Sequence, residues 1–249
     1  MRRVDPRQTF GRKADFYATS EAHTEETGLT AFADLAQVRP GHAVLDVATG
    51  TGHAAAALCQ RGAEVVGLDL TREMLLAASR LYRMSGLHLV QGDVMRLPFA
   101  DGTFDLVTSR RAPHHFPDIE GGLRSMRRVL RPGGALVIDD RSVPEDDYVD
   151  RAMNRLDRLH DRSHVREHRA SEWEAMLEGN GFAVERVEAY RRRRPLSSLT
   201  ETAEAEDAAS IRRIVAGLNA GQRERMGIEE RDGRIMVTHW YVRLRATRA

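Results

Sequence analysis

The sequence predicts an α/β fold, a mostly parallel seven-stranded sheet with helices on both faces. Two observations carry this: short apolar runs alternate with helical stretches, and the first run breaks into a glycine turn that re-forms as a helix. The runs Ala43 to Ala48, Glu64 to Leu70, Leu87 to Gln91, Phe104 to Ser109 and Ala135 to Asp140 are too short for helices and are bounded by Gly, Pro or Asp. Between them lie helices expected over His53 to Arg61, Arg72 to Met84 and Ile119 to Leu130, the last closed by Arg131-Pro132-Gly133-Gly134. A charged helix follows from Glu145 to His160 and another from Ser171 to Gly179, with further strands at Ala183 to Tyr190 and Arg234 to Arg243. The basic run Arg191 to Arg194 and the acidic stretch Glu201 to Asp207 read as solvated flanks of a loop between the last two strands.

At 249 residues the chain suits one main core, read as a single domain over 1–249. With 41% hydrophobic and 30% charged residues it has a globular composition. The first ten residues carry positive charge with no apolar segment behind them, and no stretch approaches the roughly 18 apolar residues of a membrane helix. Export and a membrane partner are therefore not expected. Cys59 is the only cysteine, which excludes an internal disulfide and fits a cytoplasmic location. The net charge is +1 and Lys13 is the only lysine. No global field attracts nucleic acid or anionic lipid, so any basic function is local.

The segment Val44-Leu45-Asp46-Val47-Ala48-Thr49-Gly50-Thr51-Gly52-His53 runs from a buried strand through a glycine turn into a helix. Such a turn sits at the carboxyl edge of a parallel sheet, where ligands bind. Gly50 and Gly52 can take positive φ and let a ligand approach bare backbone. By itself the loop also fits the dinucleotide pattern G-x-G-x-x-A. Asp69 ends the second strand about 20 residues on, where a carboxylate can accept from ribose hydroxyls. A purely structural alternative has it capping the helix that starts near Thr71. Gln91-Gly92-Asp93-Val94 adds an acid that can accept from an adenine amino group.

Together with Leu97-Pro98-Phe99, Phe104-Asp105 and Arg128-Val129-Leu130-Arg131-Pro132-Gly133-Gly134, these segments make the chain resemble the class I S-adenosylmethionine-dependent methyltransferases. Within that class it is similar to the small-molecule enzymes of ubiquinone and menaquinone biosynthesis. Ala48 departs from the glycine many members have there, and Arg111 with Pro113 makes the segment after the fourth strand rigid and basic. The resemblance implies a Rossmann-like sheet with an antiparallel last strand. It also implies lid helices over 1–40, a cofactor-binding core over 41–140, and a lid insertion with C-terminal strands over 141–249.

The resemblance further implies S-adenosyl-L-methionine as cofactor and S-adenosyl-L-homocysteine as product. Asp46 would order the glycine loop or the cofactor's amino group, and Thr49, Gly50 and Gly52 would pass close to its methionine part. Asp69 and Leu70 would hold the ribose and flank the adenine, Asp93 and Val94 would read the adenine edge, and the Arg110 carbonyl would approach the ammonium. Tyr17 to His23, Ala112 to Asp118 and Asp161 to Arg166 resemble lid and acceptor segments of bacterial members. Tyr17, His23, Arg111, His115, His164 and Arg166 are thereby substrate or lid residues.

Methyl transfer from a sulfonium needs alignment and water exclusion more than a nucleophile. For a small-molecule acceptor that carries a proton, His114 is the favoured general base among His23, His114, His115 and His164. Arg110, Arg111, Arg141 and Arg166 can serve an anionic acceptor, or simply solubility. His160, His164 and His168 recur every four residues, yet no paired carboxylate or cysteine completes a set, and no metal is expected. The competing readings are a nucleotide-cofactor oxidoreductase and a non-catalytic S-adenosylmethionine-binding protein. A nucleic-acid partner is not expected, because the arginine run lacks interleaved aromatics beyond Tyr190. Both a monomer and a homodimer fit the sequence.

Overall fold

The computed structural model of the chain describes residues 4–20 and 24–249, so His23 lies outside the described residues. The first helix, α1 (Pro6–Thr19), starts where Asp5 accepts the Arg7 N–H and Pro6 occupies the first turn. After α2 (Glu26–Ala36) comes the alternating core: β1 (Ala43–Val47), α3 (His53–Cys59), β2 (Glu64–Asp69), α4 (Arg72–Leu81), β3 (Leu87–Gln91), β4 (Phe104–Arg110), α5 (Ile119–Val129) and β5 (Leu130–Ser142). The rest comprises α6 (Asp147–His160), α7 (Ala170–Gly179), β6 (Phe182–Pro195), α8 (Ser197–Thr200), α9 (Ala205–Ala216), α10 (Ala220–Arg225), β7 (Ile228–Arg231) and β8 (Arg234–Arg248).

The strands form one eight-stranded sheet in the order β3-β2-β1-β4-β5-β8-β6, with β7 paired to β8. The strands from β3 to β5 are parallel, and β8 runs antiparallel to both β5 and β6. Helices cover both faces, so Val44, Leu45 and Val47 of β1 are fully buried. Leu45 and Val47 pack with α5 through Leu123 and Met126, while Val44 packs with Phe32 of α2 and Leu58 of α3. The chain leaves β1 toward β2 and β3, then returns on its other side as β4. That reversal opens a crevice beyond the carboxyl ends of β1 and β4.

Three differences from the sequence reading bear on the site. The expected loop after β6 contains α8, α9 and α10. Their Leu199, Ile211, Val215 and Met226 join Val149, Met153 and Leu156 of α6 in a separate apolar cluster beside the crevice. The eighth strand, β7, is the short arm of a hairpin whose turn is Asp232-Gly233, with φ of 52° and 69°. Two consecutive positive φ angles are the type I′ requirement that Asp-Gly meets. The Arg131 to Gly134 segment is part of β5 rather than a free turn, taken up where the β4 pairing shifts from Phe104↔Leu130 to Leu106↔Ala135. Among the described residues no helix is long and apolar enough to cross a membrane.

Candidate functional site

The crevice opens into a cavity of about 520 Å3, within the range of small-molecule sites. Its floor on one side is the loop between β1 and α3. Asp46 is buried beneath this loop, where Thr49 Oγ1 and Thr108 Oγ1 each donate to its carboxylate at 2.6 Å. Burial pushes Asp46 up to about 6 against those two donors. Of the two roles expected for Asp46, the geometry matches ordering of the loop. Gly50 has φ of 56°, and a Cβ built there would meet nothing within 4 Å, so its backbone faces open space. Gly52, at φ 82°, packs against Ala78 behind the loop and does not line the cavity.

Asp69 is 8% exposed rather than standing at an open strand end. Its Oδ2 accepts the Gly50 N–H and its Oδ1 the Thr71 N–H, each at 2.8 Å. The capping reading and the ligand reading thus coexist, because an ionised carboxylate has about four acceptor sites and the two backbone bonds leave room for more. Leu70, Asp93 and Val94 continue the same wall, with Asp93 also accepting the Met95 N–H at 2.9 Å. Open backbone, a buried acid beside it and an apolar rim fit an adenosyl ligand carrying a ribose diol. Thr49 and Arg110 line the cavity.

Sequence reasoning missed His53. Its Nδ1 meets the Tyr82 hydroxyl at 2.6 Å and its Nε2 the Tyr17 carbonyl at 3.3 Å. Thr51 Oγ1 also reaches that carbonyl at 3.5 Å, so the loop and α1 are joined at Tyr17.

Beyond the loop, the cavity is walled by histidines. His114 follows β4 in a short turn, Pro113–His115, and its Nδ1 lies 2.6 Å from Asp140 Oδ1 at the end of β5. Asp140 Oδ2 accepts the backbone N–H of the same residue at 2.8 Å. Burial holds the His114 imidazole well below the ordinary histidine value, with the neighbouring His115 and Arg141 acting in the same direction. Burial also lifts Asp140 up to about 7, against the N–H groups it accepts. The ring of His115 lies 4.1 Å from that of His114, and its Nδ1 is 3.1 Å from Ser163 Oγ, which donates to Asp161 at 2.7 Å. His164 completes the wall and meets Asn154 Oδ1 through Nε2.

The arginines divide. Arg166 does not line the cavity; it is held by Asp150 and Glu172 at 3.1 and 2.8 Å. Its place in the substrate set is a correction, since those carboxylates draw the side chain back over α6 and α7. Arg141 lines the cavity but is held by Asp157 and Glu167 at 2.8 and 2.6 Å, and contacts His239. Arg111 lines it, and Arg194 lines it from the run read as solvated surface. The four-residue spacing of His160, His164 and His168 does not build a helical face, because α6 ends at His160. Among the described residues there is no group of His, Cys, Asp and Glu that could hold a metal ion.

A Rossmann-like sheet with its site at the β1/β4 crevice defines a class of enzymes that carry a nucleoside-bearing cofactor there. A methyltransferase-domain family profile matches residues 45–138. The methyltransferase YcgJ of Bacillus subtilis, itself uncharacterised, is 37% identical over 184 residues, covering 73% of each chain. Its crystal structure superposes with a TM-score of 0.83 at 30% identity, covering 89% of this chain and 98% of that one. A demethylmenaquinone methyltransferase of Beutenbergia cavernae is 43% identical over 111 residues, so the match spans 45% of that relative's length. The chain belongs to the S-adenosylmethionine-dependent methyltransferases.

Proposed function

We propose that the protein methylates a small-molecule acceptor bearing an ionisable proton, with His114 as general base and Asp140 as the residue that orients it. The observation that carries this reading is the His114–Asp140 pair at 2.6 Å in the cavity wall where β4 ends. A carboxylate on Nδ1–H fixes the tautomer that leaves the Nε2 lone pair free. His115 is set similarly: Ser163 spends its proton on Asp161, so its oxygen accepts from His115 Nδ1–H.

When bound, S-adenosylmethionine supplies an electrophilic methyl carbon on a sulfonium leaving group. The acceptor's proton passes to His114 Nε2 as its electron pair forms the bond to that carbon. The carbon–sulfur electron pair would go to sulfur, so that S-adenosylhomocysteine is the coproduct. Asp69 and the Gly50 backbone would hold the donor, and Phe10 and Tyr17 of α1, which line the same cavity, would screen the reacting atoms from water.

A transfer assay with methyl-labelled donor against phenols, amines and carbon acids tests this. His114→Gln is expected to lower kcat about 10²- to 10⁴-fold, the usual contribution of a positioned base, with homocysteine-product affinity unchanged. An unaltered kcat in a folded variant would remove His114 from the chemistry.

A further inference from the structure

Resting on that reading, we propose that the acceptor is an organic anion whose charged oxygens dock on Arg111 and Arg194, its apolar body lying against Phe10, Tyr17 and Phe116. Arg111 is anchored without being satisfied. Its side chain is 9% exposed, its Nη2 donates to the Tyr190 hydroxyl at 2.8 Å, and its guanidinium carbon lies 3.7 Å from the centre of the Tyr241 ring. Its buried Nε and Nη1 have no hydrogen-bond partner among the described residues. A buried, charged donor left unpaired is costly, and an anion relieves that cost.

Arginines cluster around this end of the cavity, with Glu25 and Asp140 also near Arg111. Asp139, fully buried, lies 3.5 Å from Arg110, 3.8 Å from Arg111 and 3.7 Å from Arg243, which also reaches Glu188 at 3.9 Å. Burial alone would push the Tyr241 phenol up, yet Arg111, Arg141 and Arg194 around it bring it below the ordinary tyrosine value. Arg141 is matched by two carboxylates and contributes little net charge to a ligand. Arg194 lies close to Tyr241, and its buried Nε is unpartnered among the described residues.

Direction separates the two anions that could sit here. From the tip of β4, Arg111 extends toward Tyr190 of β6 and Tyr241 of β8, whereas Gly50, Asp69 and Asp93 lie on the β1 to β3 side. The donor's own carboxylate is therefore the less suited partner. Arg111 also holds φ of 57°, a strained backbone for arginine that clusters at functional sites.

The test is calorimetry on protein saturated with S-adenosylhomocysteine, titrated with 4-hydroxybenzoate, its neutral methyl ester and 4-hydroxyphenyl phosphate. At least one of the two anions should bind about tenfold or more tightly than the ester, as expected for charge-assisted hydrogen bonds. The stronger of the two identifies carboxylate or phosphate. Arg111→Gln and, because that variant also loses the tyrosine contacts, the half-buried Arg194→Gln should each reduce that preference. Affinity for S-adenosylhomocysteine and 5′-methylthioadenosine should not change. The proposal is overturned if neither anion binds, or if the ester binds as well as the anions. It is also overturned if Arg111→Gln weakens S-adenosylhomocysteine but not 5′-methylthioadenosine, which would assign Arg111 to the donor's carboxylate. Failure of the wild-type protein to bind S-adenosylhomocysteine would instead strike the underlying reading, and this proposal with it.

Discussion

Asp140 governs what His114 can do. Above about pH 7 the carboxylate is ionised and accepts Nδ1–H, so Nε2 is free; below that value a protonated Asp140 donates to Nδ1 and moves the ring proton to Nε2. Turnover should accordingly rise through about pH 7 and level off, in surroundings that also contain His115, His164, Arg141, Asp157 and Asp161. Asp140→Asn should lower kcat by about 10²- to 10⁴-fold and abolish that rise, because the wrong tautomer is then favoured. A profile unchanged in the variant would mean that another group titrates. At this scale the donor-side reading rests on one local turn, in which Thr49 donates to Asp46 and Gly50 leaves its backbone open. Asp140 was invisible as a partner of His114 because 26 residues separate them and only the parallel β4–β5 pairing brings them together.

Among the elements, the sequence reads Tyr17 to Thr27 and Leu156 to His168 alike, both charged and both expected to close over the acceptor; of the first, the end of α1 is described. Their anchoring differs. Leu156 packs in the cluster of α6, α8 and α9, and the backbone N–H groups of Val165 and Arg166 donate to the His114 carbonyl. By contrast, α1 rests on a small cluster in which Ala14 meets Met74 and Ala77 of α4, and on the Tyr17 carbonyl contacts to Thr51 and His53. Elements with few buried apolar contacts open first. Hydrogen exchange in 6–19 should therefore slow when S-adenosylhomocysteine binds, while 156–168, expected from sequence to respond as well, should change little. Equal slowing of both would show that they close together. The helices after β6 were missed although Ala208, Ile211 and Val215 recur at helical spacing, because flanking charge masked a face that α6 and other non-local elements cover. Arg194 was lost for the same reason: alternation along β6 places it on the cavity side, beside Tyr241 from a distant strand.

For the whole molecule, the order β3-β2-β1-β4-β5 places the crevice, and this topology was legible in outline because each crossover is a local strand–helix–strand unit. The far wall of the cavity was not, since it is assembled from α1, α6, β6 and β8. A ligand that binds only the folded chain must stabilise it. S-adenosylhomocysteine at a hundredfold above its Kd should add about 2.7 kcal/mol and raise Tm by roughly 5–10 °C, with NAD giving no shift.

The most direct measurement is a calorimetric titration of the wild-type protein and Asp69→Ala with S-adenosylmethionine, S-adenosylhomocysteine and NAD. The wild type should bind both adenosyl ligands saturably and NAD not at all. Asp69→Ala, folded by circular dichroism, should lose about 2–4 kcal/mol of that affinity with the loss of two charge-assisted hydrogen bonds to the ribose. Saturable NAD binding, or undiminished adenosyl binding by Asp69→Ala, would contradict the placement of the methyl donor on the β1 loop and the β2 acid.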